Sequence, residues 1–489
     1  MSSAPETPVV EGRSASSTRL PHLDALRACA MLLGIVLHAA LAYSGVPWVA
    51  TDARAPALAG AVVVIHGFRM ELFFLLSGFF SAMLLERRGI RGMVRHRARR
   101  IGIPLLLGLG TVVPLVWGVV TWASLVGAST PPQSTMQESA VQESIMDDSG
   151  MDDSGMDDSG MEDSTALEME APRAASLEAW SATEASVASH LADEGLDAKT
   201  DVDRRAETGP SPAETLRWLL FRFPVFHHLW FLWFLVWMVA GLALATASVR
   251  SRVGRSILDR LRPPPRVSRF LVASPFALVW LVPLTACTVA AMGAGRDAPG
   301  FGADTSAGLL PIPAVLLHHA VFYAAGVLLF VVPGALAGVS RRWSVSLLLA
   351  VAVLPVGVGF GFGAPWTRAM VPEPTLHRAV AALGAALFAW LASVGLVGLF
   401  AWLLPRERAA TRYLSDSSYW LYLAHLPLVM AGQVALRGVA WPPFAKFVVL
   451  VVASTALLLA SYEWGVRRTR IGVILNGERK GRRASPDGD

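Results

Sequence analysis

The sequence predicts an all-α integral membrane protein: a bundle of about ten transmembrane helices with both termini in the cytoplasm. Composition, hydropathy pattern and the placement of arginine each predict it. Of the 489 residues 54% are hydrophobic and only 16% are charged, against about 25% in soluble domains. Mean hydropathy is +0.49. The net charge of +5 rests on basic residues that are almost all Arg, and in such a chain the excess reports topology. No aromatic-interleaved basic motif supports nucleic-acid binding. Cys29 and Cys287 fall in apolar runs and read as buried core thiols, with no disulfide framework and no metal spacing.

A span needs about 20 mostly apolar residues. Ten segments qualify, at about 23–45, 59–85, 101–126, 226–247, 270–293, 310–332, 343–363, 377–404, 416–436 and 443–466. The first follows a polar, Pro/Ser-rich tail (1–20) and is too long for an ordinary signal peptide, so it reads as a retained helix. Arginine then sets direction. "ERRGIRGMVRHRARR" after span two holds seven Arg, and "RSRVGRSILDRLRPPPRVSR" after span four holds seven more. Arg341 and Arg342, "RERAATR" and the basic tail 471–489 continue the series on alternate loops. The opposite loops lack clustered base, so the plasma or inner membrane is crossed with both ends inside.

The chain thus divides into helices one to three (21–126), an insert (127–215) and helices four to ten (216–470). The insert carries "MDDSGMDDSGMDDSGMEDS", an acidic five-residue repeat without apolar periodicity. Such a segment cannot bury enough surface to fold and is expected outside as a solvated linker. It lacks the spacing of a calcium loop. Within it "SLEAWSATEASVASHLADEG" has the pattern of a short amphipathic helix.

Ionisable groups inside spans mark function by default. In "LDALRACAMLLGIVLHAALAYSG", Asp24 and Arg27 are i,i+3 and pair on one face. His38 lies three turns on, about 16 Å further along the same face. In "IHGFRMELFFLLSGFFSAMLL", His66 and Arg69 share a face, whereas Glu71 points elsewhere and needs a partner on another helix or a proton. Ser77-Gly78 permits close helix approach. "FHHLWFLWFLVWM" sets His228 beside Trp230, either as membrane anchors or as a flat surface for a sugar. Span six holds His318-His319, and "SDSSYWLYLAHLPLVM" holds Tyr422 and His425. No two ligands with metal spacing share a helix, so no metal site is read. No phosphate loop or nucleophile elbow is present. A His acting as general base on a hydroxyl is the simplest chemistry these residues offer.

These stretches resemble the membrane acyltransferase-3 family. "LDALRACAMLLGIVLH" resembles its opening signature, an Arg, ten residues and a His; "FFLLSGFF" and "SYWLYLAHLPLV" resemble its second-helix and penultimate-helix motifs. "IHGFRMELFFLLSGFFSAMLL" with "HHLWFLWFL" is similar to the glucan biosynthesis protein C branch, periplasmic-glucan succinyltransferases. The resemblance implies O-acyl transfer from a cytoplasmic acyl-CoA to a hydroxyl of an extracytoplasmic glycan or surface polymer, with no bound cofactor. It implies His38 as catalytic base and Arg27 as its companion, and Arg97 and Arg100 against the CoA phosphates. Glu71 joins the catalytic group in this reading; Asp24, His66, Arg69, Ser77, His228, Trp230, Tyr422 and His425 shape the substrate cavity. A carboxylate at 71 beside the site would disfavour a negatively charged acyl group. A polytopic transporter or flippase for a glycan-related solute is the alternative, since it too places polar groups in such a bundle.

Overall fold

The computed structural model describes residues 20–46, 48–128, 211–252, 255–256, 263–293, 300–406 and 408–476. The N-terminal tail, the acidic repeat, the amphipathic stretch beside it and the end of the basic tail lie outside the described residues. The helices in order are α1 (Pro21–Leu41), α2 (Pro56–Arg97), α3 (Ile103–Ala128), α4 (Pro212–Phe221), α5 (Trp230–Arg250), α6 (Pro265–Ala273), α7 (Ala277–Met292), α8 (Pro313–Val331), α9 (Ala335–Ser340), α10 (Trp343–Gly361), α11 (Pro365–Met370), α12 (Pro374–Leu403), α13 (Ala409–Leu436), α14 (Pro443–Ser461) and α15 (Arg470–Asn476). No strand occurs among the described residues.

Eight helical stretches are long and apolar enough to cross a membrane, nine with the pair α6–α7, which bends by 57°. One of the eight, Pro56–Val126, is 71 residues long and contains both the second and third predicted spans. Nine of the ten predicted spans therefore fall on these helical stretches, and the fifth falls on the bent pair α6–α7. The Arg-rich stretch after span two is a helix, not the expected loop. Arg is a good helix former and no proline interrupts the run. α2 has 42 residues, about 63 Å at 1.5 Å each, roughly twice the apolar thickness of a bilayer. A helix of that length outruns one apolar layer, and it is kinked at Gly89 (φ 65°). A π-helical turn, Ala98–Gly102, then leads into α3.

Contacts along the helix pairs fix their directions. α1 meets α13 through Arg27 and Ser415 and again through His38 and Gln433, so these two run parallel. α3 parallels α13 as well, from Arg100 and Tyr419 to Val116 and Leu426. α2 and α8 run parallel, with Glu71 on His318, Phe74 on His319 and Gly78 on Tyr323. α13 and α14 are antiparallel, with Trp420 on Ser461 and Gly432 on Leu450. This is the pattern that ten alternating crossings require.

Large apolar side chains such as Leu106, Leu244 and Val351 are exposed on the outer surface, as lipid-facing helices require. The two cysteines correct the expectation of buried thiols: Cys29 is half-buried and Cys287 exposed. An apolar run in a membrane helix has a lipid face as well as a core face, and hydropathy does not separate them.

α2 and α8 approach unusually closely. A Cβ at Gly78 would overlap the Tyr323 carbonyl, and one at Gly326 would overlap the Leu75 carbonyl. Small residues permit such backbone contact in membranes. Gly326→Leu should force the pair apart and cost about 1–3 kcal/mol of stability, measured as a lower unfolding temperature in detergent; an unchanged transition would show that the contact is not needed.

Candidate active site

Helices α1, α2, α5 and α13, with the segment 300–312, enclose a cavity of about 530 Å³. That is within the range of small-molecule sites. His38, His66, Arg69, His227, His228, Tyr422 and His425 supply its polar wall, beside Trp48, Trp230 and Phe301. No carboxylate lines it among the described residues. Phe301 reaches the wall because Gly67 and Gly357 leave room for its ring.

His38 is held by neighbours rather than by a carboxylate. Its ring stacks on Trp48 at 5.9 Å between centroids and lies 5.1 Å from that of His425. Its Nδ1 is buried without a hydrogen-bond partner. The Gln433 amide bridges the two supports. Gln433 Nε2 donates to the His38 carbonyl at 2.8 Å, and Trp48 Nε1 donates to Gln433 Oε1 at 2.8 Å. The turn that carries Trp48 is pinned by Lys446 Nζ on Asp52 Oδ2 at 2.6 Å.

Pro427 organises the opposite wall. Proline has no N–H, so within α13 the carbonyl of Leu423 loses its helical donor. His228 Nε2 meets that carbonyl at 3.2 Å. A carbonyl only accepts, so Nε2 carries the proton and Nδ1 keeps a lone pair. That Nδ1 is buried and unpartnered. The same logic fixes His425: Nδ1–H donates to Tyr422 O at 2.7 Å, which leaves Nε2 as an unpartnered acceptor. Tyr422 Oη donates back to the His228 carbonyl at 2.8 Å. The backbone at His227 has φ 43°, a left-handed value uncommon outside glycine, and the chain turns His228 inward there.

Arg69 lies across α1 at Gly34, where a Cβ would collide with its Nη1 and would stand 3.9 Å from His425 Nε2. Its Nε is buried without a partner, and Nη2 makes only a long contact of 3.7 Å with Met70 Sδ. Glu71 is not on the cavity wall. It is 1% exposed on the back of α2 and meets His318 Nε2 at 3.2 Å. The partner on another helix that its position calls for is thus His318, and the anion expected to repel a negative acyl group faces away. Ser77 is half-buried and also off the cavity.

The arginines gather at the other end of α1. Arg27 Nη2 donates to Ser415 Oγ at 3.1 Å and sits 3.6 Å from Asp24. Arg97 and Arg100 lie within electrostatic reach of Arg27 and Tyr419, and Arg97 Nε is buried without a partner. The cavity extends down α1 as far as Met31, one turn from Arg27.

A family described as an acyltransferase domain matches residues 20–463, nearly the whole described chain. The chain belongs to the acyltransferase-3 family. "Glucans biosynthesis protein C" of Escherichia coli strain SMS-3-5 / SECEC is 42% identical over 96 residues, 19% of this chain and 24% of that protein. The proteins of the same name from Escherichia coli O1:K1 / APEC and O139:H28 match to the same extent. The match thus spans about a quarter of the relatives' length. No solved structure matches.

Within this acyltransferase domain eleven of the expected site residues form two groups, and Glu71 and Ser77 belong to neither. His38, His66, Arg69, His228, Trp230, Tyr422 and His425 share the cavity; Asp24, Arg27, Arg97 and Arg100 share the far end of α1. Sequence reasoning missed Gln433, Trp48 and the Lys446–Asp52 pair. An amide in "MAGQVAL" and a lysine in "PPFAKFVV" were the available signals. Two substitutions test the supports of the candidate site. Gln433→Leu should cut turnover at least tenfold, since displacement by about 1 Å can cost 10²-fold, with little change in KM. Pro427→Ala returns a helical donor to Leu423 and should lower turnover about tenfold while leaving folding intact, as read by circular dichroism. Full activity in either variant would remove that residue from the support of the site.

Proposed function

We propose that the chain is a membrane O-acyltransferase that moves an acyl group from a cytoplasmic acyl-CoA to a hydroxyl of an extracytoplasmic glycan or related envelope polymer. Both termini are cytoplasmic in this reading, and the membrane is the inner or plasma membrane. One observation carries it. His38, His228, His425 and Arg69 all line one cavity, and each has a buried nitrogen without a hydrogen-bond partner among the described residues; that cavity stops one turn short of an arginine cluster. Buried polar groups without partners are costly, and a bound substrate supplies the partners.

His38 takes the proton of the acceptor hydroxyl as its oxygen attacks the thioester carbonyl. The tetrahedral intermediate collapses with loss of the CoA thiolate, which takes up a proton to leave as CoA thiol. Arg69 stands where it can balance a negative charge, either the oxyanion or a carboxylate on the acyl chain. Glu71 faces away, so an acyl group ending in a carboxylate, such as succinyl, fits the cavity wall. Arg27, Arg97 and Arg100 hold CoA phosphates at the cytoplasmic end. Trp48 and Trp230 offer flat apolar surfaces to a sugar ring. The names of the relatives support glucan as the acceptor class.

Purified protein with radiolabelled succinyl-CoA and a glucan should release CoA and label the glucan. His38→Ala should lower this by about 10²–10⁴-fold, the usual contribution of a general base. Arg97→Gln with Arg100→Gln should raise KM for the CoA donor and spare kcat. Turnover that survives His38→Ala but not His425→Ala would move the base to His425. Release never seen with any acceptor would favour transport.

A further inference from the structure

We propose that Glu71, His318 and His319 form a buried zinc site that clamps α2 to α8. This inference stands apart from the acyl-transfer reading. One donor atom from each residue lies within 4.8 Å of the others, and all three residues are 1% exposed. The sequence showed no such site because its ligands come from two helices and meet only through the parallel register of the pair.

Three buried atoms in the group have no partner: Glu71 Oε2 and both ring nitrogens of His319. The Glu71–His318 contact alone leaves them unsatisfied, which is expensive in a membrane interior. Rings surround His319, with Phe74 stacked at 4.5 Å and Trp230 at 5.4 Å.

The outer partners are those of a metal-ligating imidazole. Thr288 Oγ1 donates to the Thr285 carbonyl at 2.6 Å, so it accepts from His318 Nδ1 at 3.0 Å. That puts a proton of His318 on Nδ1; in the neutral ring Nε2 then carries the lone pair 3.2 Å from Glu71 Oε1, two acceptors that a shared metal would reconcile. Trp390 Nε1 then holds Thr285 Oγ1 at 2.9 Å. Two imidazoles and one carboxylate suit zinc rather than magnesium or calcium, and they leave a fourth position open. With a hydroxide there, one zinc and the Glu71 carboxylate sum to no net charge, as the depth of the site favours. Bonds of about 2.0–2.2 Å would draw the three donor atoms together. His66 lies within electrostatic reach of both Glu71 and His319 and also lines the cavity, so it stands between the two polar groups.

The full chain, purified in detergent with trace zinc, should hold one zinc per chain by elemental mass spectrometry. Cobalt exchanged into it should show the visible bands of a four-coordinate ion. His319→Ala and Glu71→Gln should lose the metal; His38→Ala should keep it; Thr288→Val should weaken binding by about 10–100-fold. Should those variants fail to fold, the wild-type protein still decides. Stripping with a chelator should lower its unfolding temperature, and zinc but not magnesium should restore it. Wild-type protein that neither retains zinc nor responds to it overturns the proposal, as does metal lost with His38→Ala and kept with His319→Ala.

Discussion

The parallel seam between α1 and α13 is the contact on which the site depends. Two polar attachments set it: Arg27 on Ser415 near one end and Gln433 on the His38 carbonyl near the other. Between them the seam is apolar, with Ile35 and Ala39 against Leu421 and Val429. Apolar packing alone would tolerate a slip, because lipid competes equally for such surfaces. The amide of Gln433 does not tolerate one. It is 2% exposed and has its partners only when His38 and Trp48 are both in place. The register that satisfies it also brings the rings of His38 and His425 to 5.1 Å.

α2 performs a different task on each face. Toward the cavity it presents His66 and Arg69; on the back it presents Glu71 and the glycine that meets α8. The angular separation of Arg69 and Glu71, about 160–200° for two residues of helix, keeps the acid from neutralising the base. Had the two paired, the cavity would lack an uncommitted cation. The close approach at Gly78 and Gly326 keeps that division firm, since α2 cannot rotate without driving backbone into backbone.

Much of this was legible in the sequence. A bilayer fixes the length of each span, so ten apolar segments read as ten helices, and the neighbour directions agree with their alternation. The ionisable residues within spans were equally visible, because little else explains a His or Arg at that depth. Three things were not legible. The helical extension of α2 reads as a loop, since arginine-rich stretches signal topology before they signal conformation. The lipid-facing position of Cys287 needs packing, not hydropathy. The meeting of Glu71 with His318 and His319 needs the register of two helices whose histidine and carboxylate are 247 positions apart. Pro427 stood in plain view in "AHLPLV", but its effect is to release a carbonyl, and the residue that uses it lies 195 positions from Leu423.

The way the imidazoles are oriented follows from the same solvent. In water-filled sites a carboxylate often orients the catalytic ring and stabilises its charged form. Inside a bilayer that carboxylate is itself a cost, and beside Arg69 it would also cancel the one guanidinium that lines the cavity among the described residues. Here backbone carbonyls do the orienting. Leu423 is freed by proline, and Tyr422 receives the Nδ1–H of the ring three residues on. A carbonyl fixes a tautomer as well as a carboxylate does, without adding charge. The two histidines on the far wall therefore each keep a lone-pair-bearing nitrogen unpartnered among the described residues, and Arg69 keeps its charge uncommitted. A cavity built this way brings lone-pair acceptors and a guanidinium together without an ion pair among them: Arg69 crosses α1 at Gly34 close to His425, whose ring lies 5.1 Å from that of His38.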